Sequence, residues 1–322
     1  MKPVLITGAT GFLGRHLVHQ LKETGQPLRL LCRTACQVEG AEIIPGDITN
    51  PQDVASAVQG AAEVYHLAGM VSREPKDNWR LYQTHVEGTR NICEAALRHR
   101  PDKLVVVSSS GTIAVSPEPT VHDETSGYKH DVVGEWAYYL SKIYAEKLAL
   151  GYNLPLVVVN PALLLGPGDD RNSSTRDVAL FLRGELLAIP NGGMSFVDAR
   201  DVAAGLIAAM RQGRPGERYL LGGPNWSFRK LIEEVSRISG IPTPKLQLPQ
   251  SLSLWSARAV RRLAPVAGKQ FEGLDDASVR MSALFWYCDS SKAKLELGFR
   301  SRDPLETLKD TVTDIRKRQP SS

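Results

Sequence analysis

The sequence predicts an α/β fold: a doubly wound parallel sheet carrying a smaller, mostly helical lobe. Three observations predict it. Short β-branched or leucine-rich runs alternate with longer amphipathic stretches over the first 110 residues. A glycine-rich turn joins the first such run to the first amphipathic stretch, and beyond about Gly222 the alternation stops in text broken by Pro242, Pro244, Pro249 and Pro265.

Strands are predicted at Val4 to Thr7, Leu28 to Cys32, Glu42 to Pro45, Glu63 to Leu67 and Lys103 to Ser108, each a short apolar run closed by a turn. Two more follow at Leu156 to Asn160 and Arg218 to Leu221, with helical periodicity over Phe12 to Thr24, Tyr138 to Leu150 and Asp201 to Arg211. The boundaries that follow are a core over residues 1–165 and a mixed region over 166–322. Within the latter, 196–222 return to the core, and 166–195 with 223–300 form the second lobe.

Composition narrows the class. The chain of 322 residues is 42% hydrophobic and 23% charged, as in an ordinary globular protein. Its four cysteines, Cys32, Cys36, Cys93 and Cys288, form no CxxC pair and match neither a disulfide framework nor a zinc site, which points to a reducing, cytoplasmic setting and to no bound metal. Met1-Lys2-Pro3 runs straight into the first strand, leaving no room for a leader, and no apolar stretch reaches the roughly 18 residues of a membrane span. The net charge of +4 is dispersed apart from Arg258, Arg261 and Arg262 and the run Arg316 to Arg318, so no nucleic-acid footprint is read.

The turn Gly8-Ala9-Thr10-Gly11-Phe12-Leu13-Gly14 lies between the first strand and the first helix. Glycines at that spacing allow a tight turn, let backbone approach a pyrophosphate, and seat the helix close to the strand, while the helix N-terminus offers N–H groups and positive dipole. The end of the second strand, where an acidic residue would hold ribose hydroxyls, reads Cys32-Arg33. A guanidinium there binds a 2′-phosphate that a carboxylate would repel, so NADP is the expected cofactor, NADPH over NADH. Asp47 and Ile48 end the third strand, where the carboxylate can accept from an adenine amino group. Leu67-Ala68-Gly69 end the fourth, where small residues leave space for a cofactor.

The fifth strand ends in Ser108-Ser109-Ser110, placing hydroxyls at the carboxyl edge of the sheet. Tyr138 and Lys142 follow four residues apart on one helix face. Reducing a carbonyl calls for a proton at oxygen as hydride reaches carbon; a tyrosine supplies it, and a nearby ammonium lowers the phenol's pKa toward neutrality. A serine hydroxyl orients the same oxygen. Tyr139 and Tyr144 lack the spacing and read as packing residues.

Taken together, Thr7 to Gly14, the serine strand end and Tyr138-x-x-x-Lys142 resemble the extended short-chain dehydrogenase/reductase family, which includes NAD-dependent epimerases and dehydratases and has a Rossmann core. Asn160-Pro161, Gly166 to Asp169 and Phe196 to Ala203 extend the resemblance over nearly the whole chain. It implies that Ser110 is the catalytic serine, that Lys142 also contacts the nicotinamide ribose and that Pro161 flanks the nicotinamide; a homodimer through the helices bearing Gly88 to Leu97 and Tyr138 to Leu150 is the family's common habit, although monomers occur. It also exposes a departure: His85 stands where many relatives carry an asparagine that serves a proton relay, so water or His85 itself would substitute.

Within that family the pattern is closest to dihydroflavonol 4-reductase and the bacterial reductases similar to it. Ser110 is followed by Gly111-Thr112-Ile113 and not by the Thr-Asp-Glu-like set of sugar dehydratases. Gly192-Gly193-Met194-Ser195 stands where nucleotide-sugar epimerases place a diphosphate-gripping arginine. Leu252, Leu254, Trp255, Val260 and Leu263, with Leu284, Phe285 and Trp286, offer an apolar lid, although lobe core, a dimer contact or, for 251–263, a membrane-surface helix are alternatives. The expectation is an NADPH-dependent reductase of an apolar or aromatic ketone or aldehyde. The alternatives are a nucleotide-sugar epimerase using NAD and a cofactor-binding sensor.

Overall fold

The fold is taken from a computed structural model, which describes residues 1–34, 36–186, 188–244 and 276–318. β1 (Val4–Thr7) is buried along its whole length and leads through the glycine turn into α1 (Phe12–Glu23). β2 (Leu28–Cys32) and β3 (Ala41–Pro45) follow. α2 (Pro51–Val58) starts where the Asn50 side chain accepts from Gln52 N, and the chain continues into β4 (Glu63–His66). A helix of changing pitch comes next: α3 (Asn78–Tyr82), a π-helical turn over Gln83–Glu87, and α4 (Gly88–His99), before β5 (Lys103–Val107).

The second half brings β6 (Val121–His122), α5 (His130–Val133), α6 (Ala137–Leu150) and β7 (Leu156–Pro161). Then come β8 (Leu163–Leu165), α7 (Arg176–Leu182), β9 (Gly193–Asp198), α8 (Ala199–Gln212) and β10 (Arg218–Leu221). Seven strands join in the order β3-β2-β1-β4-β5-β7-β10, and every pairing is parallel. The order reverses between β1 and β4, which opens a crevice at their carboxyl ends, where open α/β sheets bind ligands.

Strand periodicity builds the two cores. Val4, Ile6, Tyr65, Val105 and Val157 face Leu17 and Leu21 of α1 and Leu206 and Met210 of α8. Leu5, Val64, Leu104 and Val158 face Val54 and Val58 of α2 and Ile92 and Ala96 of α4. Each such aliphatic side chain contributes about 1.5–3 kcal/mol by leaving water, which holds the strand ends, and the functional residues on them, in fixed register.

The rest of the chain supplies β11 (Asn225–Ser227), α9 (Phe228–Ser239), α10 (Asp276–Met281), β12 (Phe285–Cys288), α11 (Ser291–Leu297) and α12 (Pro304–Arg318). Besides these helices the lobe holds a small sheet, β11-β9-β12-β6, with β8 beside β9. Its strands run from two to six residues, too short for alternation to stand out in the sequence. Leu231, Val235, Leu308 and Val312 make the lobe core with Phe181 and Phe196. Ala293 and Leu297 of α11 instead join the α1/α8 core, so this turn of chain, counted with the lobe in the sequence, covers the main sheet. Leu252, Leu254, Trp255, Val260 and Leu263, the arginines among them, Pro249 and Pro265 lie outside the described residues. Among the described residues no helix is long and apolar enough to cross a membrane.

Candidate active site

The glycine turn is built to admit backbone and nothing larger. Gly8 has φ +75°, and a Cβ there would lie 2.7 Å from Ala68 N. A Cβ on Gly14 would lie 2.1 Å from the Gly8 carbonyl oxygen. Gly11 N donates to that carbonyl at 3.0 Å. Gly11 is also the N-cap of α1, with no side chain capping the helix, so the N–H groups of the first turn face the crevice beside exposed Thr10. Phe12 and Leu13 are buried and anchor the helix from behind. A dinucleotide pyrophosphate fits this arrangement.

The ends of β2, β3 and β4 flank the turn. Arg33 is well exposed, with its Nε 4.0 Å from Asp47 Oδ2. The other Asp47 oxygen accepts from Thr49 N and Oγ1 at 2.9 Å. Ile48 is buried, and its carbonyl accepts from Asn91 Nδ2 at 2.8 Å. Leu67 and Ala68 cross over Gly8, and Thr7 Oγ1 accepts from Ala68 N at 3.2 Å. A Cβ on Gly69 would sit 3.5 Å from Lys142 Nζ, so the end of β4 and α6 meet at this glycine.

On α6 the two predicted catalytic residues are brought together with the serine strand end. The Tyr138 ring is held edge-on by His85 and Tyr139, with centroids at 5.7 and 5.0 Å. Burial pushes its phenol up to about 12, and the Ser109 side chain, hydrogen-bonded to it, pulls the other way. Lys142 is buried and donates to the Val107 carbonyl at 3.0 Å. Desolvation brings its ammonium down to about 8 against the opposing field of Glu146. The expected lowering of the phenol by Lys142 is therefore not found: the ammonium is tied to backbone, desolvation dominates, and Tyr138 is a protonated acid at neutral pH.

The three serines separate in role. Ser109 faces Tyr138 and also accepts from Gly111 N. Ser110, the hydroxyl expected to be catalytic, is buried and opens a 3₁₀ turn over Ser110–Thr112. Ser108 Oγ is buried with no partner among the described residues, as suits a group that bonds a ligand. It lines a small cavity with His66, His85, Thr89, Lys142 and Glu146.

Two features went unread in the sequence. Glu146, one turn beyond Lys142, is buried, accepts from Asn160 Nδ2 at 2.9 Å and pairs with Arg218 Nη1 at 3.3 Å. Asn160 Nδ2 also faces the Ser109 carbonyl at 3.1 Å, so the carboxylate braces β7, with Pro161 at its end, against the serine turn. The spacing Tyr138, Lys142, Glu146 on one helix face was the available signal. The second feature is the state of His85. Its Nε2 accepts from Met70 N at 3.2 Å, leaving Nδ1 as the protonated nitrogen that donates to Ser141 Oγ at 2.8 Å. Ser141 in turn donates to the Tyr138 carbonyl at 2.8 Å. Burial and the Lys142 charge hold His85 well below its usual pKa. A neutral histidine with both nitrogens engaged is a strut beneath α6, and the π-helical turn that carries it fits a local adaptation of the helix.

The packing behind Tyr138 is aromatic, with Trp136 and Trp286 buried in a core that includes Val115, Ile143 and Met281. Tyr139 stacks on Trp286 at 4.9 Å, and Trp136 lies 6.3 Å from Trp286. A Cβ on Gly111 would lie 2.3 Å from Tyr139 Cε1. Across the lobe, a Cβ on Gly192 would meet the Leu284 carbonyl oxygen at 2.2 Å, and one on Gly193 the Tyr287 hydroxyl at 2.4 Å.

A dinucleotide turn, a serine-tipped strand and a Tyr-Lys pair at one sheet edge define an NAD(P)-dependent oxidoreductase. The chain belongs to the NAD-dependent epimerase/dehydratase family, whose model matches residues 4–222, and so to the extended short-chain dehydrogenases/reductases. It is 35% identical to the "Putative dihydroflavonol 4-reductase" of Synechocystis sp., over 95% of this chain and 92% of that one. It is 31% identical to cinnamoyl-CoA reductase 1 of Oryza sativa, over 68% of this chain and 71% of that one. Among solved structures, that of gox2253 superimposes with a TM-score of 0.86 at 31% identity, covering 100% of both chains.

Proposed function

We propose that the protein is an NADPH-dependent reductase that interconverts an apolar or aromatic ketone or aldehyde with its alcohol. The observation that carries the reductase reading is the meeting of Ser109, Tyr138 and Lys142 beside the glycine turn. The names of the Synechocystis and rice relatives, reductases of a flavonoid and of an aromatic thioester, agree with it.

When bound, the nicotinamide supplies or accepts the hydride. The chain's own groups do the rest. Ser109, with Ser110 behind it, holds the substrate oxygen, and Tyr138 gives that oxygen its proton in reduction and takes it back in oxidation. Lys142, tied to the Val107 carbonyl, would hold the nicotinamide ribose through its charged ammonium. Arg33 binds the 2′-phosphate and selects NADPH. Asp47 and Ile48 border the adenine, while Ser108 and Pro161 border the nicotinamide end. The enzyme works in the cytoplasm, as a homodimer through α4 and α6.

A nucleotide-sugar epimerase with NAD is the second reading, favoured by the family's own description. Against it, Gly192 and Gly193 are packed where no side chain could grip a diphosphate. A panel of aromatic ketones, aldehydes and UDP-sugars, followed by NADPH absorbance and product analysis, separates the two. Net NADPH consumption with a carbonyl substrate supports the reductase; a sugar epimerised without net NADPH change refutes it.

A further inference from the structure

Among the four cysteines, Cys93 and Cys288 are buried. Cys32 and Cys36 are set apart by lying against each other. Cys32 is buried at the end of β2, Cys36 is half-buried, and their Sγ atoms lie 3.0 Å apart as free thiols. That separation is about 1 Å beyond the disulfide bonding distance of about 2.05 Å. Between them in sequence lies Arg33, whose exposed guanidinium reaches toward Asp47.

We propose that Cys32 and Cys36 form a reversible disulfide that governs how well Arg33 holds the cofactor's 2′-phosphate. This rests on the NADPH reading of Arg33. In a cytoplasmic protein a disulfide of this kind is a transient, signalling bond and not a structural one. Closing so short a ring restricts the backbone torsions of the residues inside it, whereas a guanidinium must orient freely to make paired bonds to a phosphate.

The chemistry needs a small disulfide such as oxidised glutathione. The more exposed Cys36 attacks as thiolate, breaks the glutathione S–S bond and expels one glutathione thiolate. Cys32 then loses its proton, attacks Cys36 Sγ and expels the second. Two protein thiols are oxidised, one glutathione disulfide is reduced, and the two cysteine protons end on the two glutathiones. Burial and the contact with Cys36 hold the Cys32 thiol up to about 12, so the second step is slow at neutral pH and quickens as pH rises.

The test uses the full chain, reduced, then equilibrated with oxidised glutathione. The expected product has lost two hydrogens by intact mass. After trypsin cleaves at Arg33, the two flanking peptides remain joined, and Cys36→Ser abolishes the link. Oxidation should weaken NADPH binding about tenfold, or about 1.4 kcal/mol, leave NADH binding nearly unchanged, and be reversed by dithiothreitol. A glutathione adduct on Cys36 that never resolves would overturn the proposal, as would a Cys32–Cys36 bond with unaltered NADPH affinity. In the reduced protein, Arg33→Ala binding NADPH as tightly as wild type overturns the Arg33 reading and the affinity coupling with it, while the peptide map still decides the disulfide.

Discussion

At the scale of residues, the chemistry rests on how burial sets the charge of Tyr138 and Lys142. With its phenol near 12, Tyr138 carries its proton throughout the neutral range, so the pH dependence of reduction belongs to Lys142. Its ammonium, lowered to about 8, is charged below that pH and neutral above it. The kcat/KM for reduction should therefore be level below about pH 8 and fall up to tenfold per unit above it. A profile flat to about pH 10, the ordinary range of an exposed lysine, would contradict this. Tyr138→Phe should lower kcat by a factor of about 10² to 10⁴ while NADPH affinity, measured by titration, stays within about threefold of wild type, a difference below 1 kcal/mol. Glu146→Gln leaves the partly exposed Arg218 without its counter-ion, and should cost about 1–3 kcal/mol in denaturant unfolding. Glu146→Gln with unchanged stability would show that the brace is absent.

Much of this residue chemistry could be read in advance, since Tyr138, Lys142 and a serine at the strand end all meet in the fold. The choice of serine could not. Three hydroxyls in a row point three ways once the chain turns into a 3₁₀ helix at Ser110, and a sequence shows no such rotation. The effect of Lys142 on the phenol was misjudged for a similar reason: spacing puts both on one face, but only the fold reveals the Val107 carbonyl that holds the ammonium. Cys32 and Cys36 looked unrelated because their contact depends on the path of the chain after β2.

Among the elements, the β1 to α1 turn is the most constrained. Gly14→Ala forces a Cβ to within 2.1 Å of the Gly8 carbonyl oxygen, so α1 must lift from the sheet. The expected outcome is a melting temperature several degrees lower, as a loss of about 1–3 kcal/mol produces by overpacking, together with at least tenfold weaker binding of both NADPH and NADH. Equal loss for the two cofactors distinguishes this turn from Arg33, which should discriminate between them. Most main-sheet strands were legible because they are apolar runs buried on both faces, β1 and β7 along their whole length, while the edge strand β3 is only partly covered. Four of the seven, at β3, β4, β5 and β7, shift by one residue at an end. The lobe strands were not legible: β11 has three residues and β6 two, and they are held by neighbours distant in sequence and not by their own pattern.

For the whole molecule, two buried histidines tie stability to pH. His66, between Thr7 and Thr89, is lowered to about 3 by desolvation, and His85 is lowered as well. Both are neutral when folded, while an unfolded histidine takes a proton near pH 6.5. For His66 the unfolded state thus binds more protons between about 6.5 and 3, so its contribution is full above that window and falls as pH drops through it, by up to about 1.4 kcal/mol per unit, and His85 adds a decline of the same sign. Calorimetry across this range should show the decline, and His66→Asn should flatten it. An unchanged slope in that variant would assign the effect elsewhere.

The same scale decides the proposed function, because the parallel sheet brings the glycine turn, the serine strand end and Tyr138 to one edge. The most direct measurement is NADPH consumption by the wild-type chain and by Tyr138→Phe with an aromatic ketone or aldehyde, with the alcohol quantified in parallel. The account predicts one alcohol formed per NADPH consumed, slower turnover with NADH, and near-complete loss in the variant. Turnover of a UDP-sugar without net NADPH change, or full activity in Tyr138→Phe, would contradict it.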